Sequence, residues 1–121
     1  MKKKPHHSLE EVKALGVKRR VRLLKTRALD PMMDSLASAD TAAKATALAA
    51  ATIAALTLDA FSDTVQQSFV TCDIYGVVIE ERGFFVKLHI DVDARGEDLV
   101  ICMSFHLLER PLRTTGGTVK P

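Results

Sequence analysis

At 121 residues, with 47% of them hydrophobic, the chain can form one domain around a modest core. A net charge of +2 is too mild to demand a nucleic-acid partner, because a mixed solvated surface has the same composition. The two cysteines, Cys72 and Cys102, lie in separate apolar runs without paired spacing; this speaks against structural zinc or a disulfide framework and predicts buried, reduced thiols in a cytoplasmic protein.

The opening "MKKKPHHSLEEV" has no apolar stretch behind its lysines, so no secretory signal is expected. His6 and His7 fall in a start expected to be flexible over residues 1–7 and receive no catalytic role. Ser8 with Glu11 forms a capping box, and Leu9, Val12 and Leu15 stand at helical spacing before Gly16, which predicts a helix from Leu9 to Leu15. Basic residues then dominate: Lys13, Lys18, Arg19, Arg20, Arg22, Lys25 and Arg27 all precede any comparable group of acids. Within them "RRVRLLKT" suits a short edge strand or an extended connector.

Asp30-Pro31 reads as a helix cap with proline in the first turn, leading into Met32, Met33 and Leu36. Asp40 is expected to cap a longer, alanine-driven helix from Thr41 to Leu56. The surrounding "TAAKATALAAATIAALTLDAF" carries Lys44 and Asp59 and is short of the ~20 strongly apolar residues of a membrane span. After Thr57 the vocabulary turns to Val, Ile, Phe, Thr and Tyr, which marks a sheet. Strands are predicted over Phe69–Val78, Phe84–Asp91 and Leu99–Leu107, with a fourth near Asp59–Gln66. The first turn is placed at Glu81-Arg82-Gly83 and the second over Asp93–Asp98. The result is an α+β domain over residues 1–121, its helices on one face of an antiparallel sheet of three to four strands and the other face open. The tail from Pro111 to Pro121 is expected to be extended or loosely ordered.

Alternation assigns side chains to faces. Phe84, Val86, Leu88 and Ile90 form the core set of their strand, leaving Phe85, Lys87, His89 and Asp91 outward. In the last strand Leu99, Ile101, Met103, Phe105 and Leu107 form the apolar set, opposite Val100, Cys102, Ser104 and His106. For Thr71, Asp73 and Tyr75 against Val70, Cys72 and Ile74, alternation leaves the core side open. If the last two long strands pair, Lys87, His89, Ser104 and His106 share one cationic face. Such a face can bind a phosphodiester and cleave it: a base takes the ribose 2′-hydroxyl proton, an acid protonates the leaving 5′-oxygen, and a cation stabilises the phosphorane. The plainer alternative is a solvated outer face.

Four segments, "KKKPHHSLEEVKAL", "VRLLKTRAL", "CDIYGVVIEERGFFVKL" and "VICMSFHLLE", in this order resemble the MqsR family of bacterial toxins. The resemblance implies a RelE-like fold and the toxin of a type II toxin-antitoxin system, an endoribonuclease that cleaves mRNA without metal or cofactor. It implies as partners mRNA and a cognate antitoxin of the DNA-binding kind, and no membrane. Lys87 and Tyr75 match the family pattern; Asp63, Cys72, Phe85 and His106 stand where it carries Lys, Gln, Tyr and Lys. On this reading His106, Lys87 and Tyr75 are the catalytic set, His106 as acid or base, and Arg110, His89 and Arg82 bind RNA. Two other classes stay open: a catalytically inactive RNA- or protein-binding module on the same fold, and a homodimeric structural protein whose basic N-terminal segment meets its partner.

Overall fold

The computed structural model describes residues 4–121. Helix α1, Leu9–Val17, opens with the Ser8 hydroxyl accepting the Glu11 backbone N–H at 3.4 Å. It runs through Gly16, which is not its stop. Termination falls on Arg19, whose φ of 58° is left-handed, with Arg19 N–H bonded to Gly16 O and Arg20 N–H to Leu15 O. This is the usual pair of bonds that closes a helix on a left-handed residue, a place glycine normally fills. Arg19→Gly is therefore expected to stabilise the protein by about 0.5–1 kcal/mol, read as a raised urea midpoint with unchanged m.

Strand β1, Val21–Leu23, leads into a wide π-type turn over Lys25–Leu29 and helix α2, Asp30–Ser35. The chain is already coiled when it reaches Asp30, so Asp30 is no cap; it receives the Lys25 ammonium at 3.0 Å. A single 3-10 turn, Ala37–Ala39, precedes α3, Ala42–Ala54. Thr41, not Asp40, caps α3, its hydroxyl accepting the Lys44 N–H at 3.2 Å, while Asp40 pairs with the Lys44 side chain. Among the described residues no helix is long and apolar enough to cross a membrane.

After a short turn at Leu58–Ala60 come β2 (Phe61–Gln67), β3 (Val70–Ile79), β4 (Arg82–Val92), β5 (Asp98–Leu107), and a terminal hairpin of β6 (Leu112–Thr114) and β7 (Gly117–Val119). The α+β class holds, but the main sheet has five strands in the order β1-β5-β4-β3-β2 and is mixed, because β1 joins β5 in parallel. That differs from the expected antiparallel sheet of three to four strands. Three residues of β1 carry little local signal; they form a strand because Val21 opposite Val100 and Leu23 opposite Cys102 pack inward. One face of the sheet builds the core with the helices, through Val12, Met32, Leu36 and Ile53 on one side and Phe61, Tyr75, Phe84, Val86, Leu88, Val100 and Phe105 on the other.

Two irregularities decide what the other face carries. Lys87 pairs with Ser104 and Leu88 with Cys102, so Met103 is an extra residue in β5, a β-bulge. The bulge reverses the expected sides of the first half of β5: Val100 and Cys102 join the core, whereas Leu99 and Ile101 lie on the outer face with Arg22, Ser104 and His106. The second is the C-terminal segment, expected to be loosely ordered, which forms the β6–β7 hairpin and packs across β2 and β3. Ser62 Oγ donates to Arg113 O at 2.6 Å, and Thr115 N–H to Phe61 O at 2.8 Å. Gly76 makes room for it: a Cβ there would meet Leu112, Val119 and Thr114 side chains at 3.0–3.2 Å. The outer face is thus half covered.

The β3–β4 turn sits at Glu80-Glu81, one residue before its expected place, with φ of 51° and 67°. Such turns normally use Asn-Gly. Here the Glu80 carboxylate accepts from the Ser38 hydroxyl and from the Ser38 and Ala37 backbone N–H groups. The Ser38 hydroxyl is the main reason the Glu80 carboxyl titrates below the ordinary carboxylate range.

Candidate functional site

What remains of the outer face centres on the middle of β4 and β5. Phe85 and His106 are a cross-strand pair, their rings stacked with centroids 5.1 Å apart and planes within 12°. The Nδ1 of His106 lies 3.0 Å from the Leu107 carbonyl oxygen. A carbonyl can only accept, so the Nδ1 that makes this bond carries a proton, and in the neutral ring the lone pair is then on Nε2. Lys87, opposite Ser104 on the same face, donates from Nζ to the Gln67 side-chain carbonyl on β2. Among the described residues its partner is a neutral amide and no carboxylate forms a salt bridge with it. Asp63 shares the face, opposite Ile74, but its carboxylate turns back to the Thr64 N–H at 2.8 Å.

Cys72 and Met103 fill the floor between these groups, with Sγ and Sδ 3.2 Å apart. Both cysteines are buried and free, as the sequence predicts. Burial raises the Cys72 thiol pKa, Lys87 opposing the rise, and pushes that of the core thiol Cys102 up to about 12. Neither is a ready nucleophile.

Three expected site residues stand differently. Tyr75 pairs with Val86 and points into the core, fully buried, its ring edge-on to Phe61 at 5.7 Å. Its hydroxyl has no hydrogen-bond partner among the described residues, and burial, then Asp73, raises its pKa. With the sheet between it and Lys87, Tyr75 cannot share their chemistry. Arg82 donates to the Ser35 carbonyl at the end of α2, so it ties the sheet to a helix. His89 does lie on the outer face, opposite Ile101, but only 7% exposed. Arg110 is exposed in the bend after β5, as a phosphate-holding group must be.

Part of the basic N-terminal quarter is also structural. The Arg20 guanidinium meets Asp93 at 2.6 Å and so fastens the β4–β5 turn. That bond, with the Glu97 and Arg95 N–H groups, holds the Asp93 carboxyl below the usual range.

The N-terminal start holds the arrangement that the sequence did not disclose. Residues 1–3 lie outside the described residues, but His6 and His7 are tied down. The buried Asp73 carboxylate accepts the His6 N–H at 2.8 Å, the His7 N–H at 2.9 Å and the Thr64 hydroxyl at 2.7 Å. The β3–β4 pairing ends at Asp73 and Leu88, and there the His7 ring enters, Nε2 lying 3.1 Å from Thr71 O and 3.5 Å from Ile90 N. A cleft opens beside it, walled by Phe69, Val70, His89 and Asp91. The available signal was an inward-facing aspartate in search of donors, and alternation had left the inward side of β3 undecided.

Among the described residues no group of three or more His, Cys, Asp or Glu side chains is placed to hold a metal ion. No family model matches the chain, and neither a curated protein nor a solved structure is significantly similar to it.

Proposed function

We propose that the outer face is the RNA-cleaving surface of an mRNA interferase on a RelE-like fold, a toxin neutralised by a cognate antitoxin. The observation that carries this reading is His106, its Nδ1 bonded to the Leu107 carbonyl, on the strand next to Lys87, whose hydrogen-bond partner among the described residues is a neutral amide. Nε2 takes the 2′-hydroxyl proton, the 2′-oxygen attacks phosphorus, and the bond to the 5′-oxygen breaks. Lys87 stabilises the phosphorane charge, Arg110 holds the neighbouring phosphate, and water protonates the leaving oxygen. The products are a 2′,3′-cyclic phosphate and a 5′-hydroxyl. Stacking on Phe85 keeps the imidazole at a fixed angle, which lowers the entropy cost of reaching the attacking geometry.

Purified protein incubated with end-labelled single-stranded RNA in the presence of a chelator is expected to yield cyclic-phosphate ends. His106→Ala is expected to slow cleavage about 10²–10⁴-fold and Lys87→Ala roughly 10²–10³-fold. RNA left intact by the wild type, with no growth defect on expression, defeats the ribonuclease reading. The burial of Tyr75 and the aspartate at position 63 favour a second reading, a binding module that holds RNA without cutting it. On that reading RNA is retained intact, and the two substitutions change affinity alone.

A further inference from the structure

We infer that the cleft beside Phe69, where β3 and β4 part, holds a nucleobase of the RNA strand whose phosphate lies at Lys87. This deepens the reading above and rests on it.

Phe69 is 99% exposed, the most exposed large apolar side chain among the described residues. It occupies the second position of a two-residue turn, since Gln67 pairs with Val70, and Ser68 before it is left-handed at φ 55°. A turn of this kind selects glycine first and has no use for a phenyl ring. Local backbone strain and an uncovered aromatic, neither offset by an internal contact, together point to a function.

The neighbours define the occupant. Beyond Leu88 the two strands no longer pair; the His7 ring stands between them, and the cleft beside it is lined by His7, His89 and Asp91. The exposed Asp91 carboxylate accepts the Val92 N–H at 2.7 Å on one oxygen; it repels a phosphate, and its other oxygen is an acceptor for the N–H groups of a base edge. The same hairpin supplies Gln67 to Lys87 and Phe69 to the cleft, so one short segment touches both places. His89 follows Lys87 by two residues on the same face, roughly 7 Å along the strand. One extended nucleotide spans that step. The face thereby orders an RNA strand with its scissile phosphate near Lys87 and His106 and an adjacent base against Phe69.

The chain contains no tryptophan, so Phe69→Trp installs a single indole at the site, excited at wavelengths where Tyr75 does not absorb. A 2′-O-methyl oligoribonucleotide lacks the attacking hydroxyl and separates binding from cleavage. Its addition is expected to quench the emission of the Phe69→Trp variant, whereas an abasic oligomer of equal length is expected not to. Phe69→Ala is expected to weaken binding of the normal oligomer about tenfold, judged by fluorescence polarisation, because base stacking on an aromatic is lost. Tight binding with a silent indole and no effect of Phe69→Ala overturns the cleft and leaves the RNA reading standing. Absence of all oligonucleotide binding overturns both. An emission shift that grows with protein concentration alone assigns Phe69 to self-association and likewise overturns the inference.

Discussion

Asp73→Ala is expected to lower the stability of the protein by about 3 kcal/mol, seen as a fall of roughly 10 °C in Tm by circular dichroism. The carboxylate is wholly buried and accepts three hydrogen bonds, from the His6 and His7 amides and the Thr64 hydroxyl. Alanine leaves those donors facing a space without acceptors, and each stranded donor costs more than the bond itself contributed. Asp73→Asn is the sharper control, because it preserves shape and removes charge. An amide presents one acceptor and one donor group where two acceptors are needed, so one N–H must face another. Asn is therefore expected to recover only part of the loss. A Tm within 2 °C of wild type for both variants, roughly the effect of a surface change, means that the N-terminal segment contributes nothing to the fold.

Gly16→Val is expected to cost about 3 kcal/mol, measured by urea unfolding, through a clash that no rotamer relieves. A Cβ at position 16 would stand 2.7 Å from Ala54 N and 2.9 Å from Ala50 O, both backbone atoms of α3. The two helices touch main chain to main chain, Gly16 on one and a run of alanines on the other. Side-chain repacking cannot open that contact; the helices must separate, and Val12, Ala50 and Ile53 lose their close packing together. Gly16→Ala is expected to fall between wild type and valine, since alanine's better helix propensity returns about 1 kcal/mol. An unchanged unfolding midpoint for Gly16→Val refutes the close approach of α1 and α3.

What could be read in the sequence was what local rules govern. The helices announced themselves through Ser8, the proline after Asp30 and the alanine run, and β4 alternates as written. Lys87 and His106 were placed on a common face, and the structure brings them there. The last strand shows why alternation fails elsewhere. It is apolar on both sides, so the inserted Met103 leaves no trace in the pattern while it exchanges the faces of everything before it. His106 kept its side only because it follows the bulge. The cap of α3 moved by one residue because Asp40 and Thr41 are both competent caps, and geometry chose the hydroxyl. Tyr75 was ambiguous because Asp73 shares its face. A carboxylate suggests solvent, and only a chain segment 66 residues away makes its burial affordable.

The parallel pairing of β1 with β5 sets an order on the protein's birth. Val21 leaves the ribosome early but has no partner until Val100 follows it, so the sheet closes only when nearly the whole chain has emerged. Until then the apolar side of β1 and the edge of β4 that β5 later covers wait unpaired, an interval set by the elongation rate rather than by any intrinsic folding speed. A pause in translation anywhere between the two strands prolongs the exposure. Synonymous codons in that stretch are therefore expected to change the yield of folded protein while every contact in its finished form stays the same.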